Sequence, residues 1–262
     1  MPATAASHGA PPIALALIEI NRALLELATL PIAAPLLRSA PKGDGHPVLV
    51  LPGFTASDKS TAILRRYLDS LGYDTYAWEL GRNLGPRAIG HEGEKLIERL
   101  AAIHALTGKK VSLIGWSLGG VMARQVSRRL PDAVRQVLTL GSPFACDPRS
   151  TNAWRAYEFA TGQRVDGSDV QAQLAESMLA PPVPSTAIYS KTDGVVAWQG
   201  CIEPESATTD NIEVLGSHCG LGVNPAVLYA VADRLALPDG AWAPFERKGW
   251  RTAVYPSSGA VH

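Results

Sequence analysis

The stretch from Val111 to Gly120 constrains the fold of this chain more than any other. A short apolar run, Val-Ser-Leu-Ile, leads into Gly-Trp-Ser-Leu-Gly at 115–119, and a helical apolar pattern follows. This order predicts a strand, a tight turn with Ser117 at its apex, and a helix. A Cβ at either flanking glycine would strike neighbouring backbone or forbid the dihedral angles of the turn. A serine held there points its hydroxyl off the sheet edge, beside the free N–H groups that begin the helix.

The rest of the chain repeats this alternation of strands and helices. Short apolar runs predict further strands at Pro47–Leu51, Tyr73–Leu80, Val134–Leu140, Thr186–Ser190 and Ile212–Leu215. Helical patterns separate most of them, which predicts a mainly parallel sheet with helices on both faces. In such sheets the reactive groups gather at the carboxyl ends of the strands.

Length and composition favour one α/β domain. The chain has 262 residues, of which 46% are hydrophobic, enough for one well-buried core. We predict an apolar helix and lead-in at 1–46, an α/β domain at 47–238 and an irregular strap at 239–262. The alternation lapses between residues 145 and 184, where two short helical patterns predict a small helical cap.

Charge and cysteine content argue against several classes of protein. Lys+Arg and Asp+Glu both number 24, so no electrostatic attraction favours a nucleic-acid partner. The three cysteines are too few for a disulfide-dense scaffold, and no Cys/His spacing suggests a metal site. We therefore expect no metal site.

The N-terminal segment Pro12–Leu37 is apolar but interrupted by Glu19, Arg22 and Glu26. Each such charge costs about 2.5–3.5 kcal/mol at the centre of a bilayer, which argues against a transmembrane helix. No Lys or Arg precedes Arg22, so the charged start of a secretory signal is missing and a cytoplasmic location is favoured. The charges form one polar stripe, which fits either a helix packed across the domain or an interfacial anchor that contacts a membrane near the substrate entrance.

Two other predicted strands end in residues that can activate a serine. Asp193 follows the strand Thr186–Ser190, and His218 follows the strand Ile212–Leu215. A serine hydroxyl needs a base within hydrogen-bond reach, and the base needs a carboxylate to hold its other nitrogen. Asp-Gly alone would indicate a turn, but serine, aspartate and histidine in this order at three strand ends rarely coincide by chance.

With Gly-Trp-Ser-Leu-Gly at 115–119, Asp193 and His218 in this order, residues 47–235 resemble the α/β-hydrolase superfamily, specifically small bacterial lipases and esterases. The resemblance implies the α/β-hydrolase fold and ester hydrolysis through an acyl-enzyme on Ser117, without a cofactor.

The resemblance also implies an oxyanion hole formed by the backbone N–H groups of Leu118 and Phe54. Many lipases carry His-Gly before the second donor, whereas this chain has Pro-Gly-Phe, so Thr55 is an alternative to Phe54.

The predicted cap lies where members of this superfamily cover their substrate pocket. We expect Trp116, Trp154 and Phe159 to line a pocket for short or medium acyl chains, although cap side chains of this kind also suit ordinary packing. The same triad would serve an acyltransferase, a thioesterase or a lactonase, and the fold could also be a non-catalytic binding module. We expect the substrate to be a small or lipid-like ester. The sequence determines neither which ester this is nor the oligomeric state.

Cys201 and Cys219 follow shortly after the predicted acid and base. A disulfide between them would clamp the two loops and would favour an oxidising compartment, hence export.

Overall fold

A parallel β-sheet forms the centre of the protein. The computed structural model describes residues 8–257, except for the side chains of Asp169 and Gln173. Within this range the sheet has six strands, all parallel, in the order β2-β1-β3-β4-β5-β6. The strands are β1 (Pro47–Leu51), β2 (Asp74–Ala77), β3 (Val111–Trp116), β4 (Val134–Leu140), β5 (Ser185–Tyr189) and β6 (Thr209–Glu213). The predicted fold class is confirmed.

The α-helices of the described range connect and cover these strands. They are α1 (Ile13–Arg38), α2 (Ala62–Leu71), α3 (Pro86–Ile89), α4 (Glu94–Thr107), α5 (Leu118–Arg129), α6 (Trp154–Thr161), α7 (Ser168–Met178), α8 (Pro225–Leu235) and α9 (Arg251–Val254). Asn224 caps α8 through its side-chain oxygen, as its Asn-Pro start predicts. Asp58 does not cap α2; its carboxylate accepts the N–H groups of Trp78 at 3.0 Å and Glu79 at 3.3 Å.

Each face of the sheet carries its own apolar core. Successive side chains of a strand point to opposite faces, so Val48 and Val50 pack with α2 and α8, while Leu49 and Leu51 pack with α4 and α5. Burial on both faces explains why these strands read as continuous apolar runs in the sequence.

Helices α6 and α7 lie in the segment of the predicted cap, and a buried arginine of α5 ties α7 to the sheet domain. The Arg124 guanidinium pairs with Glu203 and donates to the carbonyls of Ser177 at 3.0 Å and Leu179 at 2.7 Å. These bonds anchor the end of the cap, because a fully buried guanidinium requires a partner for each of its donors.

The C-terminal segment is mostly irregular, with aromatic side chains packed on the domain. Trp250 lies edge-on to Tyr229 of α8, and the Tyr255 hydroxyl donates to the carbonyl of Ala226. The ends of the predicted lead-in and strap, residues 1–7 and 258–262, lie outside the described residues.

Helix α1 is oriented with its polar stripe towards the protein. Glu19 is buried at 2% exposure, while large apolar side chains on the opposite side face solvent. These exposed side chains include Ile13, Leu17, Ile20, Leu24, Leu25 and Ile32. Among the described residues, no helix has the length and apolar character needed to cross a membrane.

Candidate active site

Ser117 occupies a strained turn between β3 and α5. Its φ is 52° and its ψ is −121°, a conformation that non-glycine residues seldom adopt. A Cβ at Gly115 would lie 2.3 Å from the Cα of Gly120, and one at Gly119 would lie 2.6 Å from the carbonyl oxygen of Leu51. Both glycines are therefore required because the turn presses against backbone on each side, as the sequence pattern predicts.

The loop after β1 brings a second backbone donor to the same place. The N–H of Thr55 donates to the carbonyl of Asn83 at 2.8 Å, whereas the N–H groups of Phe54 and Leu118 have no acceptor among the described residues. A carbonyl oxygen that becomes negatively charged would be stabilised by such unpaired donors. This contact leaves Phe54, and not Thr55, as the candidate second donor.

Asn83 is a supporting residue that no pattern in the sequence reveals. It is fully buried, and besides accepting the Thr55 N–H it donates from its side chain to the carbonyl of Pro52 at 2.8 Å. It thereby fixes both ends of the loop that carries Phe54. A single polar residue in the loop at 81–86 gives no sequence signal for this role.

Asp193 and His218 form a buried, hydrogen-bonded pair in the loops after β5 and β6. The imidazole Nδ1 lies 2.6 Å from the Asp193 Oδ2. The other carboxylate oxygen, Oδ1, accepts the N–H groups of Val195 at 2.8 Å and Val196 at 2.7 Å. Since a carboxylate only accepts, Nδ1 carries the proton and Nε2 is left as a free base.

Opposing effects set the pKa of His218. Burial lowers it, but the charge of Asp193, the hydrogen bond to that carboxylate and the charge of Glu19 together raise the pKa above its ordinary value of 6.5. The pair is thus arranged to stabilise a protonated imidazole, as a base must be when it has taken a proton.

Trp116 links the serine turn to the histidine loop. Its indole N–H donates to the carbonyl of His218 at 3.1 Å, and its ring lies over Gly222, where a Cβ would approach within 2.7 Å. The Ser117 hydroxyl has no hydrogen-bond partner among the described residues, and such catalytic contacts often tighten only when substrate binds.

The cap and the serine turn enclose a cavity of about 140 Å³. It is lined by Phe54, Ser117 and Leu118 from the domain and by Trp154, Tyr157 and Leu174 from the cap, among others. A larger space of about 370 Å³ adjoins it between α3, α4 and α5, and shares Leu118 and Tyr157 as walls.

Of the three side chains expected in the pocket, only Trp154 lines the cavity. Phe159 is 92% exposed and points to solvent, since the inner side of the short helix α6 is occupied by Tyr157 instead. Trp116 does not line the cavity either, because its ring packs on the histidine loop at Gly222.

The possible disulfide between Cys201 and Cys219 is not formed, since Cys146, Cys201 and Cys219 are all free. Cys201 is buried with Tyr189 and Val196, while the backbone N–H of Cys219 is bonded to Glu19 on α1. The two side chains therefore have different neighbours, and burial raises the pKa of the Cys219 thiol to about 12. Across residues 8–257, no cluster of His, Cys, Asp and Glu is suited to hold a metal ion.

A second hydrogen-bonded set of the same residue types lies at the opposite end of the sheet. His46 contacts Asp44 through Nδ1 and the Ser112 hydroxyl, at 2.9 Å, through Nε2. Ser112 is fully buried within β3 and lines neither the cavity at Ser117 nor the space that adjoins it. This set ties the chain before β1 to β3 and has no room for a substrate.

The polar stripe of α1 contacts the candidate site, a contact that the sequence analysis did not predict. Glu19, Arg22 and Glu26 all bond to the loops that carry Asp193 and His218. The sequence shows the stripe clearly, but the helical period alone does not tell what it faces.

Comparison with known proteins places this geometry in context. No family model matches the chain. A triacylglycerol lipase of Pseudarthrobacter phenanthrenivorans is 30% identical over 105 residues, which cover 37% of this chain and 33% of that protein. The match thus spans about a third of the length of this relative.

Solved structures are similar over more of the chain. Lipase B of Aspergillus fumigatus superposes with a TM-score of 0.56 at 17% identity, covering 77% of this chain and 55% of its own. An alpha/beta superfamily hydrolase of Oenococcus oeni gives a TM-score of 0.51 at 17% identity, covering 73% of this chain and 91% of its own. Likeness at such identities shows the fold and leaves the activity to the site itself.

Proposed function

We propose that this chain, which has the α/β-hydrolase fold, hydrolyses carboxylic esters through an acyl-enzyme on Ser117. The observation that carries the proposal is the pairing of a buried Asp193–His218 dyad with a strained serine turn that leaves two N–H groups unbonded. Similarity to lipases in sequence and in fold supports the same activity. The reaction needs only groups that the chain itself supplies.

Each group has a distinct part in the proposed mechanism. Nε2 of His218 takes the proton of Ser117 as the hydroxyl oxygen attacks the ester carbonyl, and Asp193 stabilises the imidazolium that forms. The N–H groups of Phe54 and Leu118 bind the oxyanion; one such donor contributes about 2.7–4 kcal/mol in comparable sites. The imidazolium then protonates the leaving alcohol, and a water molecule repeats both steps to release the acid.

The size and lining of the cavity favour small apolar acyl groups. A space of about 140 Å³ at Ser117, walled by Trp154, Tyr157 and Leu174, suits a short or medium acyl chain. The adjoining space of about 370 Å³ gives room for the alcohol portion or for a longer chain. Turnover of p-nitrophenyl esters of increasing length would measure this preference.

The chain offers a matched pair of variants to test the proposal. Ser117→Ala should lower kcat by at least about 10⁴-fold, because the nucleophile is lost while the backbone donors remain. Ser112→Ala removes a hydroxyl from β3, the strand that leads to Ser117, and from a similar His–Asp pair, but should leave turnover near that of the unmodified protein. Turnover that survives Ser117→Ala in a folded protein would contradict the assignment.

Acyl transfer and the cleavage of thioesters or lactones would use the same groups. A fluorophosphonate probe that labels Ser117 distinguishes all of these from a non-catalytic binding module. Adding an alcohol to the ester assay and quantifying the new ester then separates a transferase from a hydrolase.

We further propose that the apolar side of α1 contacts a lipid–water surface. Its exposed side chains include Leu17, Leu24 and Ile32, whereas its charges Glu19, Arg22 and Glu26 face the protein. Exposed apolar patches mark sites of interaction with a membrane or another protein. Its start lies near the cavity at Ser117, because Asn152, which stands between the lining residues Thr151 and Ala153, donates to the carbonyl of Pro11.

A further inference from the structure

Helix α1 holds both loops of the catalytic pair through one carboxylate. Glu19 accepts the N–H of Gly194 at 2.8 Å through Oε1 and the N–H of Cys219 at 2.8 Å through Oε2. These are the residues directly after Asp193 and His218. The same side chain therefore fixes the backbone just beyond the acid and just beyond the base.

Two neighbouring residues of α1 strengthen this connection. Arg22 donates to the carbonyl of Thr192 at 2.6 Å and to that of Gly216 at 2.9 Å, so it also joins the two loops. Glu26 accepts the N–H of Ser217 at 2.7 Å. All three side chains lie on the stripe that the sequence shows as the polar side of the helix.

A glycine in each loop permits this close approach. A Cβ at Gly194 would lie 2.5 Å from the carbonyl carbon of Leu15, and a Cβ at Gly220 would lie 2.3 Å from a carboxylate oxygen of Glu26. The Asp-Gly pair at 193–194 thus serves the docking of α1 as well as the turn. Helix α1 and the two loops are therefore in close backbone contact as well as hydrogen-bonded.

We propose that Glu19 is a positioning residue for the catalytic dyad: it sets the separation of Asp193 and His218 and adds a negative charge beside the imidazole. The proposal rests on the proposed function of the dyad. It assigns the N-terminal helix a part in the reaction although none of the residues lining the cavity at Ser117 belongs to that helix.

The charge of Glu19 acts on His218 together with a small set of neighbours. Asp193 faces the ring from the loop after β5, and Glu19, Arg22 and Glu26 approach from α1. Cys219 is adjacent in the histidine loop, with a thiol kept neutral by burial, which raises its pKa to about 12. The charges of Asp193 and Glu19 both raise the pKa of His218.

The variant Glu19→Gln tests both effects at once. A glutamine keeps one acceptor but places an NH₂ group against the second N–H and removes the charge. We expect kcat to fall about 10–100-fold with KM nearly unchanged, as a small misplacement of catalytic groups does. We also expect the pKa of His218, followed by NMR of its imidazole, to fall below that of the unmodified protein.

Glu19→Asp separates charge from position. The charge stays, so the pKa of His218 should remain near that of the unmodified protein, while the shorter side chain cannot reach both N–H groups and kcat should still fall. Because it is the milder change, it also serves where Glu19→Gln fails to fold.

Two controls identify the effect of Glu19 itself. Glu98→Gln removes the same charge from an exposed site on α4, and Leu30→Ala weakens the packing of α1 on the core without touching either loop. Neither should change kcat or the pKa of His218. A Glu19→Gln protein with lower thermal stability but unchanged kcat and His218 pKa would overturn the proposal.

The measurements also distinguish failure of the proposed function from failure of the inference about Glu19. If the unmodified protein neither turns over esters nor reacts with a fluorophosphonate, the function is wrong. The NMR titration still decides about Glu19, because it requires no turnover: an unchanged His218 pKa in Glu19→Gln overturns the inference, and a lowered one supports it.

Discussion

At the scale of single residues, the chain contains two sets of serine, histidine and aspartate, and their surroundings distinguish them. The set around Ser112 is fully hydrogen-bonded, but the serine lies within β3 and is buried. Ser117 stands after the same strand, in a strained turn beside unbonded N–H groups. Position at the carboxyl end of a strand, which the sequence reveals, identifies Ser117 as the candidate nucleophile.

Other residue-scale features depend on contacts that the sequence does not contain. A disulfide between Cys201 and Cys219 was possible because both lie near the acid and base in sequence, yet Cys201 is buried in an apolar cluster with Tyr189. Phe159 was expected in the pocket, but a short helix has several apolar positions and only its packing decides which of them face inward. The spacing of residues along the chain determines neither which cysteines pair nor which side chains line the pocket.

Gly194 provides a test of the contact between α1 and the acid loop. Gly194→Ala should lower the free energy of unfolding by about 1–3 kcal/mol, because the new Cβ would overlap backbone of α1. Gly9→Ala is the control, since nothing lies within 4 Å of a Cβ there. Urea denaturation measures the free energy of unfolding of both variants. Equal values for Gly194→Ala and Gly9→Ala would mean that α1 is not in close contact with this loop.

At the scale of elements, the periodic pattern of α1 predicts the helix but not which of its sides faces the protein. Its apolar length and polar stripe predict a helix at Pro12–Leu37, and the observed α1 spans Ile13–Arg38. The usual rule would turn its apolar side inward. Glu19 and Arg22 instead find backbone partners on the catalytic loops, which overcomes the cost of burying them and leaves leucines in solvent.

The exposed side of α1 can be tested with lipid vesicles. The double variant Leu17→Glu, Leu24→Glu should weaken binding to phosphatidylcholine vesicles at least about tenfold, because two apolar side chains would no longer enter the interface. Both residues are exposed on the side of α1 opposite Glu19, so turnover of a soluble ester should be unchanged. Co-sedimentation with vesicles measures the binding.

The control for this experiment is Leu106→Glu, since Leu106 is 75% exposed on α4. It should bind vesicles as the unmodified protein does. An equal loss of binding in this variant, or no binding by the unmodified protein, would contradict a lipid-facing role of α1.

At the scale of the whole molecule, the sheet carries a titrating histidine at each end, and the two respond oppositely to acid. Burial lowers the pKa of His46 below 6.5, against the opposing effect of Asp44, so folding favours its neutral form. The pKa of His218 is raised above 6.5, so folding favours its charged form. His46 contributes to the free energy of unfolding fully above pH 6.5, and this contribution is lost as the pH falls. His218 contributes fully below pH 6.5, and its contribution is lost as the pH rises through its raised pKa.

These directions predict that acid stops turnover before it unfolds the protein. The proposed ester hydrolysis needs neutral His218, so kcat/KM should fall as the pH drops through a value above 6.5, where the contribution of His46 to stability is still complete. The loss should reverse fully when the pH is restored. Parallel measurements of kcat/KM and near-ultraviolet circular dichroism from pH 8 to pH 5 test this order.

A His46→Gln variant should keep the same pH dependence of kcat/KM but lose less stability between pH 7 and pH 5, because it lacks the group that must take up a proton on unfolding. Coincident loss of activity and of tertiary structure would show that the two ends of the sheet are not independent.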